Sequence, residues 1–476
     1  MMDAGEQDWK TSDSATTALR SGYVWGVALV AAMGGLLFGY DWVVIGGAKP
    51  FYEVYFHLDS ASLIGWANSC ALVGCLLGAL IAGGASSRYG RKRVLLLSAV
   101  VFAVSSVFTG WAPVFGAFIG WRITGGVAIG LASNVSPLYI AEISPAAWRG
   151  RLVSLNQLAI VCGILAAQIV NWFIAEKVPA GAVVDAQSWN AQHGWRWMFT
   201  AVAVPAALFF VLALLIPESP RWLAGARRGR EARQVLANIG GEDYASRELA
   251  AIEQTLNSAT VSRPGWRDLF GGPARRVVWV GIALAALQQW SGINVLFNYA
   301  EEVYKSAGYG VSGILFNIVI TGAINLIFTI IAMAFVDRVG RRKLMLLGCA
   351  GVGLCHLGAS LAYYAGLRGS GVLILTLGAI ACYSMTLAPV TWVLISEIFP
   401  NRLRSLGVSA AVAALWSASF ALTYTFPFLN HAFTTAGAFL AYAAVCFAGF
   451  VFVLLSVPET RGKTLEEIES SAMETT

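Results

Sequence analysis

The chain alternates between long apolar runs and shorter polar segments. Each apolar run exceeds the ~18 residues that an α-helix needs to cross a bilayer. The pattern therefore predicts an all-α polytopic membrane protein with twelve membrane-spanning helices, numbered spans 1 to 12 in chain order. The composition agrees, since 57% of the residues are hydrophobic and 12% are charged, against roughly 25% charged in a soluble protein. The predicted spans are 22–48, 61–86, 94–112, 114–143, 152–175, 196–216, 276–305, 313–336, 344–367, 372–399, 406–430 and 437–457.

The positive charge of the loops predicts the orientation of the spans. Twelve spans place both termini on one side of the membrane, and cytoplasmic loops are enriched in Lys and Arg. Nearly all of the 32 Lys and Arg residues lie in the termini or in loops on that same side. Both termini are therefore expected in the cytoplasm, and the net charge of +6 requires no nucleic-acid partner. The exceptions are Lys49, Lys177, Lys305 and Arg368 on the other side, and Arg122 and Arg196 within predicted spans.

A long polar segment divides the twelve spans into two sets of six. Three elements recur in both halves: a basic loop after spans 2 and 8, Glu-x-x-Pro at the ends of spans 4 and 10, and Pro-Glu-[Ser/Thr] after spans 6 and 12. The positive-inside rule accounts for the basic loops but not for the other two pairs, so the repeats indicate a duplicated half. The polar segment has a helical composition and predicts short cytoplasmic helices. The predicted organisation is a cytoplasmic N-terminus 1–21, a six-helix half 22–216, a cytoplasmic linker 217–275, a second half 276–457 and a cytoplasmic tail 458–476.

Several motifs resemble those of one known family. Two six-helix halves around a central site are a recurring transporter architecture. In that frame the chain resembles the sugar porter family of the major facilitator superfamily, and most of all its bacterial proton-coupled symporters for monosaccharides of the xylose and glucose type. The resemblance implies the major facilitator fold, with two pseudo-symmetric halves, and transport of a pentose or hexose with protons by alternating access. The motifs are GRKR, DRVGRRK, PESPRWL, QQWSGIN, PVTWVLISEIFP and PETRGKTLEE.

Polar side chains inside the spans are candidates for a sugar site. In span 7, Gln288, Gln289 and Asn294 surround Gly292. Amides both donate and accept hydrogen bonds, so they match sugar hydroxyls. Alternatively, they form hydrogen bonds between helices. The resemblance implies that these three residues bind sugar. It implies the same role for Phe38, Gln157, Gln168, Asn298, Asn325 and Trp392.

The positions of these residues add some support. Gln157 and Gln168 are three helical turns apart and share one face of span 5. Asn325 in span 8 and Gln288 in span 7 lie at similar depth, so they are expected to meet near the midplane. Trp392 offers a flat apolar face and an N–H donor. With 17 tryptophans in the chain, an ordinary packed aromatic is the alternative for Trp392.

Three positions depart from the pattern of the resembled family. Asn298 precedes Tyr299 where a pair of tyrosines is common, and Ala388 stands where a glycine often precedes the proline of span 10. Leu415 precedes Trp416 where an amide is common. These departures concern which sugar is bound more than the sugar class.

Asp41 and Arg122 are opposite charges inside spans 1 and 4. Both lie roughly 10–12 Å below the predicted outer surface at 1.5 Å per residue, and an unpaired charge at that depth is costly, so they are expected to pair. A static ion pair is one interpretation. The other is a proton site, because burial disfavours a charged carboxyl, a nearby arginine favours it, and a conformational change alters both. The resemblance implies proton coupling by Asp41 and Arg122, since uniporters of the family tend to carry a neutral residue at the Asp41 position.

Charged residues at the cytoplasmic ends of the spans are candidates for a gate. Ordinary charge pairing at helix ends is the alternative interpretation. The resemblance implies salt bridges between the two halves that close the cytoplasmic side when the sugar site faces outward. The candidates are Arg91, Glu142, Arg149, Arg341, Glu397 and Arg404.

Other functions find less support in the sequence. A facilitative sugar uniporter is an alternative on the same fold, against which Asp41 and Arg122 argue. A non-transporting sugar sensor often carries a long signalling tail, which is not predicted here. An enzyme is not expected, because no HExxH, P-loop or Gly-x-Ser-x-Gly motif is found and the four histidines are scattered. No catalytic residue, metal or cofactor is therefore expected.

The remaining expectations concern location and assembly. The first twenty residues lack the pattern of a secretory signal. All seven cysteines fall inside apolar runs, so a disulfide framework is not expected. A monomer in the lipid bilayer is expected, as an integral plasma membrane protein. The lack of an external Asn-x-Ser/Thr site suits a bacterial inner membrane.

Overall fold

A computed structural model describes residues 19–179, 184–258, 266–271, 275–367, 369–399 and 403–459. Within these ranges the chain is helical and contains no strand. The predicted segment 1–21 and tail 458–476 lie largely outside the described residues. The side of the bundle that carries the linker helices is called the linker side below, and the opposite side is called the far side.

The twelve predicted spans are present as helices. Eleven helical stretches are long and apolar enough to cross a membrane, and the last of them, Leu406–Ser456, accounts for two spans. This stretch is broken at Thr434, where φ is 61°. Spans 1 to 5 are Ser21–Phe56, Ala61–Tyr89, Arg91–Gly110, Phe115–Ile143 and Arg149–Ile174. Span 6 is Asn190–Leu215, spans 8 and 9 are Val311–Val339 and Arg341–Tyr364, and spans 11 and 12 lie within Arg404–Ser456.

Spans 7 and 10 are interrupted helices. Span 7 consists of Arg275–Trp290, Ile293–Asn298 and Ala300–Ser306. Span 10 consists of Ser370–Met385 and Leu387–Glu397. Irregular backbone at membrane depth is tolerated where protein buries it or where it lines a cavity. The interruption of span 7 lies between Gln289 and Asn294, and that of span 10 lies six residues before Trp392.

Span 1 is longer than predicted, which corrects its end from 48 to Phe56. The sequence analysis ends span 1 at residue 48 and counts Lys49 among the charges of the outer loops. In the structure the helix continues through Pro50 to Phe56, and His57, whose φ is 53°, caps its end. Lys49 is 2% exposed because carboxylates surround it. Lys49 is therefore an interior residue of span 1 and not part of a loop.

Close backbone contacts hold spans together within the first half. Gly74 and Gly78 of span 2 face Gly126 and Gly130 of span 4, and a Cβ atom at any of these positions would collide with backbone of the other helix. Small residues four apart are a common means of close helix packing in membranes. These glycines thus fix spans 2 and 4 against each other.

The linker contains helices, as its composition predicts. They are Pro220–Gly225, Gly229–Ser258 and Trp266–Gly271, and the second is broken at Gly240 and Gly241. Ser219 caps the first of them, because its hydroxyl accepts a hydrogen bond from the Trp222 N–H. The backbone N–H of Arg20 donates to the carbonyl of Ile239, which ties the start of span 1 to the linker.

Candidate functional site

The amides of span 7 form a buried hydrogen-bonded chain at the helix interruption. Gln289 Nε2 donates to Gln288 Oε1 at 2.6 Å, and Asn294 Nδ2 donates to Gln289 Oε1 at 2.6 Å. Asn294 Nδ2 also lies 3.1 Å from Ser419 Oγ of span 11. Gly292 makes this possible, because its φ of 85° turns the chain between Gln289 and Asn294. The three predicted residues therefore lie together, and Ser419 joins them.

Asn298 connects the two halves. In the amide orientation that satisfies both of its polar atoms, Asn298 donates to the carbonyl of Trp42 and accepts from Trp42 Nε1, each at 3.2 Å. Trp42 belongs to span 1, one turn beyond Phe38. This chain therefore has an asparagine where the resembled family commonly has a tyrosine, and Trp42 forms hydrogen bonds with the amide of that asparagine. Sequence analysis assigned no role to Trp42.

An aromatic cluster lies beside this connection. Phe38 stacks on Trp42 with ring centroids 5.2 Å apart, and Trp416 of span 11 approaches the Phe38 ring at 5.7 Å. Trp416 is 2% exposed, and its indole N–H has no hydrogen-bond partner among the described residues. A buried donor without a partner is costly. Phe38 therefore lies in a setting that combines apolar faces with an unused donor.

Span 5 presents a buried amide whose polar atoms are both unsatisfied. Gln168 is 1% exposed, and neither Oε1 nor Nε2 has a hydrogen-bond partner among the described residues. It packs against Gly322 of span 8. Gln157, on the same helix, is partly exposed. Because an unsatisfied buried amide destabilises the protein by about 1–3 kcal/mol, Gln168 is suited to a polar ligand.

Asn325 and Trp392 lie in the second half. Asn325 Oδ1 accepts a hydrogen bond from Ser384 of span 10 at 2.6 Å, and the described contacts do not join Asn325 to Gln288. Trp392 follows the interruption at Thr386 and is 39% exposed. That exposure differs from a packed aromatic such as Trp195, which is fully buried. The face of Trp392 is therefore available for contact with another molecule.

Asp41 and Arg122 form the predicted ion pair. Arg122 Nη1 donates to Asp41 Oδ1 at 3.0 Å and to Oδ2 at 2.9 Å, and each residue is 4% exposed. The Arg122 guanidinium also lies over the ring of Phe199, 5.3 Å from its centroid. Asp41 is next to Trp42 in the chain, so the pair is one residue from the Asn298 connection.

Four of the six gate candidates form two ion pairs at the linker side. Arg91 binds Glu142 through two hydrogen bonds, of 2.7 and 2.8 Å. Arg341 Nη2 lies 3.5 Å from Glu397 Oε1. Both pairs join residues of the same half. Arg149 Nε donates to the carbonyl of Ala141, and Arg404 Nη2 donates to that of Phe399.

The repeated Pro-Glu-[Ser/Thr] element has a structural role in both halves. Glu218 accepts hydrogen bonds from the backbone N–H groups of Arg91 and Lys92 at the start of span 3. Glu459 does the same for Arg341 and Arg342 at the start of span 9. A carboxylate at a helix N-terminus satisfies free N–H groups and the helix dipole. This shared contact explains why the element occurs twice at matching positions.

A buried charge cluster was missed by sequence analysis. Lys49 Nζ lies 3.0 Å from Glu53 Oε1, 3.2 Å from Glu301 Oε2 and 2.6 Å from Glu302 Oε1. The available signals were the spacing of four between Lys49 and Glu53 and the adjacent glutamates at the end of span 7. The prediction of an outer loop concealed both signals.

His356 was also missed. This residue of span 9 is 1% exposed, and its Nε2 lies 2.9 Å from the carbonyl oxygen of Ser291. A carbonyl only accepts hydrogen bonds, so Nε2 carries the proton. Because the Val295 N–H bonds to the carbonyl of Gly292 instead, the histidine supplies the donor that the interrupted helix does not.

Twelve spans in two halves, with buried amides beside a buried acid–base pair, define a membrane transporter of the major facilitator class. The family described as "Sugar (and other) transporter" matches residues 27–472, and the chain belongs to this sugar porter family of the major facilitator superfamily. The family consists of transporters and not of enzymes.

Individual relatives cover nearly the whole chain. The D-xylose-proton symporter of Escherichia coli is 37% identical over an alignment of 485 positions, which covers 95% of this chain and 96% of that protein. The glucose transport protein of Synechocystis sp. is 40% identical over 456 residues, covering 92% and 95%. The inward open structure of the xylose transporter XylE from E. coli superposes with a TM-score of 0.83 at 35% identity, covering 94% of this chain and 100% of that one.

Proposed function

We propose that this protein is a proton-coupled monosaccharide symporter that works by alternating access. The buried Asp41–Arg122 pair carries this proposal, because it places a carboxylate next to the aromatic and amide residues that would hold the sugar. The relatives support the same function, since two of them are named as proton symporters of D-xylose and of arabinose.

The sugar site would lie between the halves. Gln288, Gln289 and Asn294 would bond to hydroxyls from the second half, and Gln168 would use its two unsatisfied atoms from the first half. Trp416 would add a donor that the protein itself leaves unused. The other residues assigned to sugar contact are Phe38, Gln157, Asn298, Asn325 and Trp392.

The coupling would depend on the Asp41–Arg122 distance. When the pair is intact, Arg122 stabilises the charged carboxylate of Asp41 and disfavours proton binding. A movement that separates them would leave a buried carboxylate that takes up a proton. Sugar binding that favours one of the two arrangements would then be linked to proton binding.

The orientation and the gate follow from charge. We assign the linker side to the cytoplasm, because it carries most of the Lys and Arg residues. Both termini would then be cytoplasmic, in a monomer of the bacterial inner membrane. Arg149 and Arg404, which here bond to backbone carbonyls, would exchange those partners for carboxylates of the opposite half when the cytoplasmic side closes.

Uptake into proteoliposomes tests the function directly. The purified protein is reconstituted and offered labelled pentoses, hexoses and polyols, with and without an imposed proton gradient. Symport predicts accumulation of at least one monosaccharide above its external concentration, together with alkalinisation of the medium on sugar addition. Equilibration without accumulation would identify a uniporter, and binding without any flux would identify a sensor.

A further inference from the structure

The Lys49 cluster joins the two halves on the far side. Lys49 and Glu53 belong to span 1 of the first half, whereas Glu301 and Glu302 belong to the last helix of span 7 in the second half. All three carboxylates lie within 3.2 Å of the same ammonium group. The charged contact is therefore shared between parts of the molecule that must separate for the far side to open.

The buried charge of Lys49 has all of its carboxylate partners only while the two halves are in contact on the far side. Lys49 is 2% exposed, and the side chains of Glu301 and Glu302 are 12% and 22% exposed. Removing water from an ammonium is expensive unless carboxylates replace it. If the halves separate, Lys49 keeps only Glu53, one turn away on its own helix. Closure on the far side thus provides the partners that make burial of Lys49 favourable.

Two other contacts between the halves on this side, among the described residues, are neutral hydrogen bonds. The backbone N–H of Val178 donates to Ser312 Oγ at 2.9 Å, and Ser62 Oγ lies 3.1 Å from the hydroxyl of Tyr424. Such hydrogen bonds exchange readily for bonds to water and contribute little net free energy. The buried ion cluster differs, because separation of the halves removes two carboxylate partners from Lys49 at once.

The position of the cluster connects it to the sugar site. Glu301 and Glu302 follow Asn298 by three and four residues in the interrupted part of span 7, and the Lys49 ammonium lies 5.9 Å from the centroid of the Tyr299 ring. Lys49 itself is two turns beyond Asp41 on span 1. Movement of the cluster therefore moves the segment that carries Asn294 and Asn298.

We propose that Lys49 is a positioning residue for transport, which holds the segment Ile293–Ser306 against span 1 and so sets the balance between far-side-closed and far-side-open states. The proposal rests on the proposed transport function and adds a residue that acts on it without touching sugar. Lys305 extends the cluster, since its ammonium lies 3.9 Å from Glu301 at an exposed position.

Hydrogen exchange in detergent or nanodiscs measures the closed state without any transport. In Lys49→Met the amides of 299–306 should exchange about tenfold faster or more. Removing one partner of a buried ion pair changes the equilibrium constant between closed and open states by more than a factor of about ten. The linker-side ends of the spans should not exchange faster. Lys177→Met, which removes an exposed lysine on the same side, is the matched control and should match the parent.

Swapping the positions of the charged residues distinguishes an electrostatic role of Lys49 from a general packing role. Lys49→Glu alone places four carboxylates together and should open the far side further than Lys49→Met. Adding Glu302→Lys to Lys49→Glu returns one ammonium among three carboxylates and should restore slow exchange. Glu301→Gln removes one carboxylate only and serves if the lysine variants do not fold.

Uptake kinetics give the functional readout. A larger far-side-open population should lower the apparent KM for sugar offered on that side and also lower kcat, because the return to the closed state becomes slower. The proposal would be overturned if Lys49→Met and Glu301→Gln both kept the KM of the parent and its exchange rates at 299–306. Absence of transport in the parent would refute the proposed function alone, since the exchange measurement does not depend on it.

Discussion

At the scale of single residues, the Asp41–Arg122 pair is the main determinant of mechanism. Two hydrogen bonds from one guanidinium nitrogen hold both carboxylate oxygens in a buried setting. Such a pair has two possible uses, a permanent structural bond or a bond that opens during transport. The difference between them is measurable, because only the second use requires a titrating group.

Asp41→Asn should separate exchange from accumulation. The amide keeps the size of the carboxylate but carries no titrating charge, so sugar counterflow should persist while proton-driven accumulation is lost. Uphill transport needs linkage between the two binding events, whereas exchange needs only alternating access. Counterflow and gradient-driven uptake in proteoliposomes measure the two activities.

The control for Asp41→Asn is Asp59→Asn, an exposed carboxylate on the far side, which should behave as the parent. Arg122 loses its partner in Asp41→Asn, so a lower melting temperature is expected alongside. Continued accumulation of sugar by Asp41→Asn would assign the pair to structure and the coupling to another group.

Loss of the span 7 amides should weaken sugar binding. Asn294→Ala removes an amide that would bond to a sugar hydroxyl, and it leaves Gln289 Oε1 without its donor. A loss of about 1–3 kcal/mol in the free energy of sugar binding is therefore expected. Titration calorimetry on the purified protein measures the change. Asn134→Ala is the matched control, because the Asn134 amide donates to Gly130 within its own helix. Equal affinities of parent and Asn294→Ala would remove span 7 from the site.

At the scale of single elements, span 7 shows how an interrupted helix is kept in one shape. The turn at Gly292 places the amides on both sides of the interruption but leaves the carbonyl of Ser291 without its usual N–H donor. His356 of span 9 supplies a donor from outside the helix. The shape of span 7 is therefore set partly by a neighbouring span.

His356→Leu should disturb the sugar site from a distance. Without the imidazole donor, the buried Ser291 carbonyl keeps only the weak thiol donor of Cys446, 3.7 Å away. A cost of about 1–3 kcal/mol is expected, and the turn at Gly292 loses part of its support. Lower thermal stability and weaker sugar binding are both expected. His356→Gln, which retains an N–H donor, should recover part of each.

His193→Leu is the control for His356→Leu, because His193 is exposed on the far side. Thermal unfolding and titration calorimetry give the two quantities. If His356→Leu lowers stability while sugar affinity stays at the parent value, the histidine supports packing only and does not position the amides.

At the scale of the whole molecule, the contacts described here keep the far side closed. The Lys49 cluster and the Asn298–Trp42 bonds cross between the halves, while Arg91–Glu142 and Arg341–Glu397 remain within them. A pair that persists in both states does not bias the equilibrium between them.

Arg149→Ala should therefore affect the opposite state. In this structure Arg149 bonds only to a backbone carbonyl among the contacts described, so its removal should cost little here. If it gains a carboxylate when the cytoplasmic side closes, its loss destabilises that state and slows net uptake at unchanged sugar affinity. Arg151→Ala, at an exposed neighbouring position, is the control.

Hydrogen exchange at the linker-side ends of spans 4 and 10 reports the closed population for Arg149→Ala. Faster exchange there, together with slower uptake, is the expected result. Uptake and exchange identical to those of Arg151→Ala would mean that Arg149 only caps the end of span 4.

The sequence alone determined the twelve spans, the duplicated halves and the Asp41–Arg122 pair. These features depend on local signals or on large free-energy costs. A long apolar run crosses the bilayer as a helix, and a buried charge needs an opposite charge beside it. The charge of the loops predicts the orientation by the same kind of rule. No knowledge of which helices are neighbours was needed for any of these conclusions.

Tertiary structure alone decided the rest. Lys49 reads as a loop residue until three carboxylates from two helices are seen around it. Likewise, the contact of His356 with Ser291 and the hydrogen bond from Ser384 to Asn325 could not be predicted from the sequence. The free energy of each of these groups depends on partners that are remote in the chain. Which partners they meet is fixed only when the spans pack together.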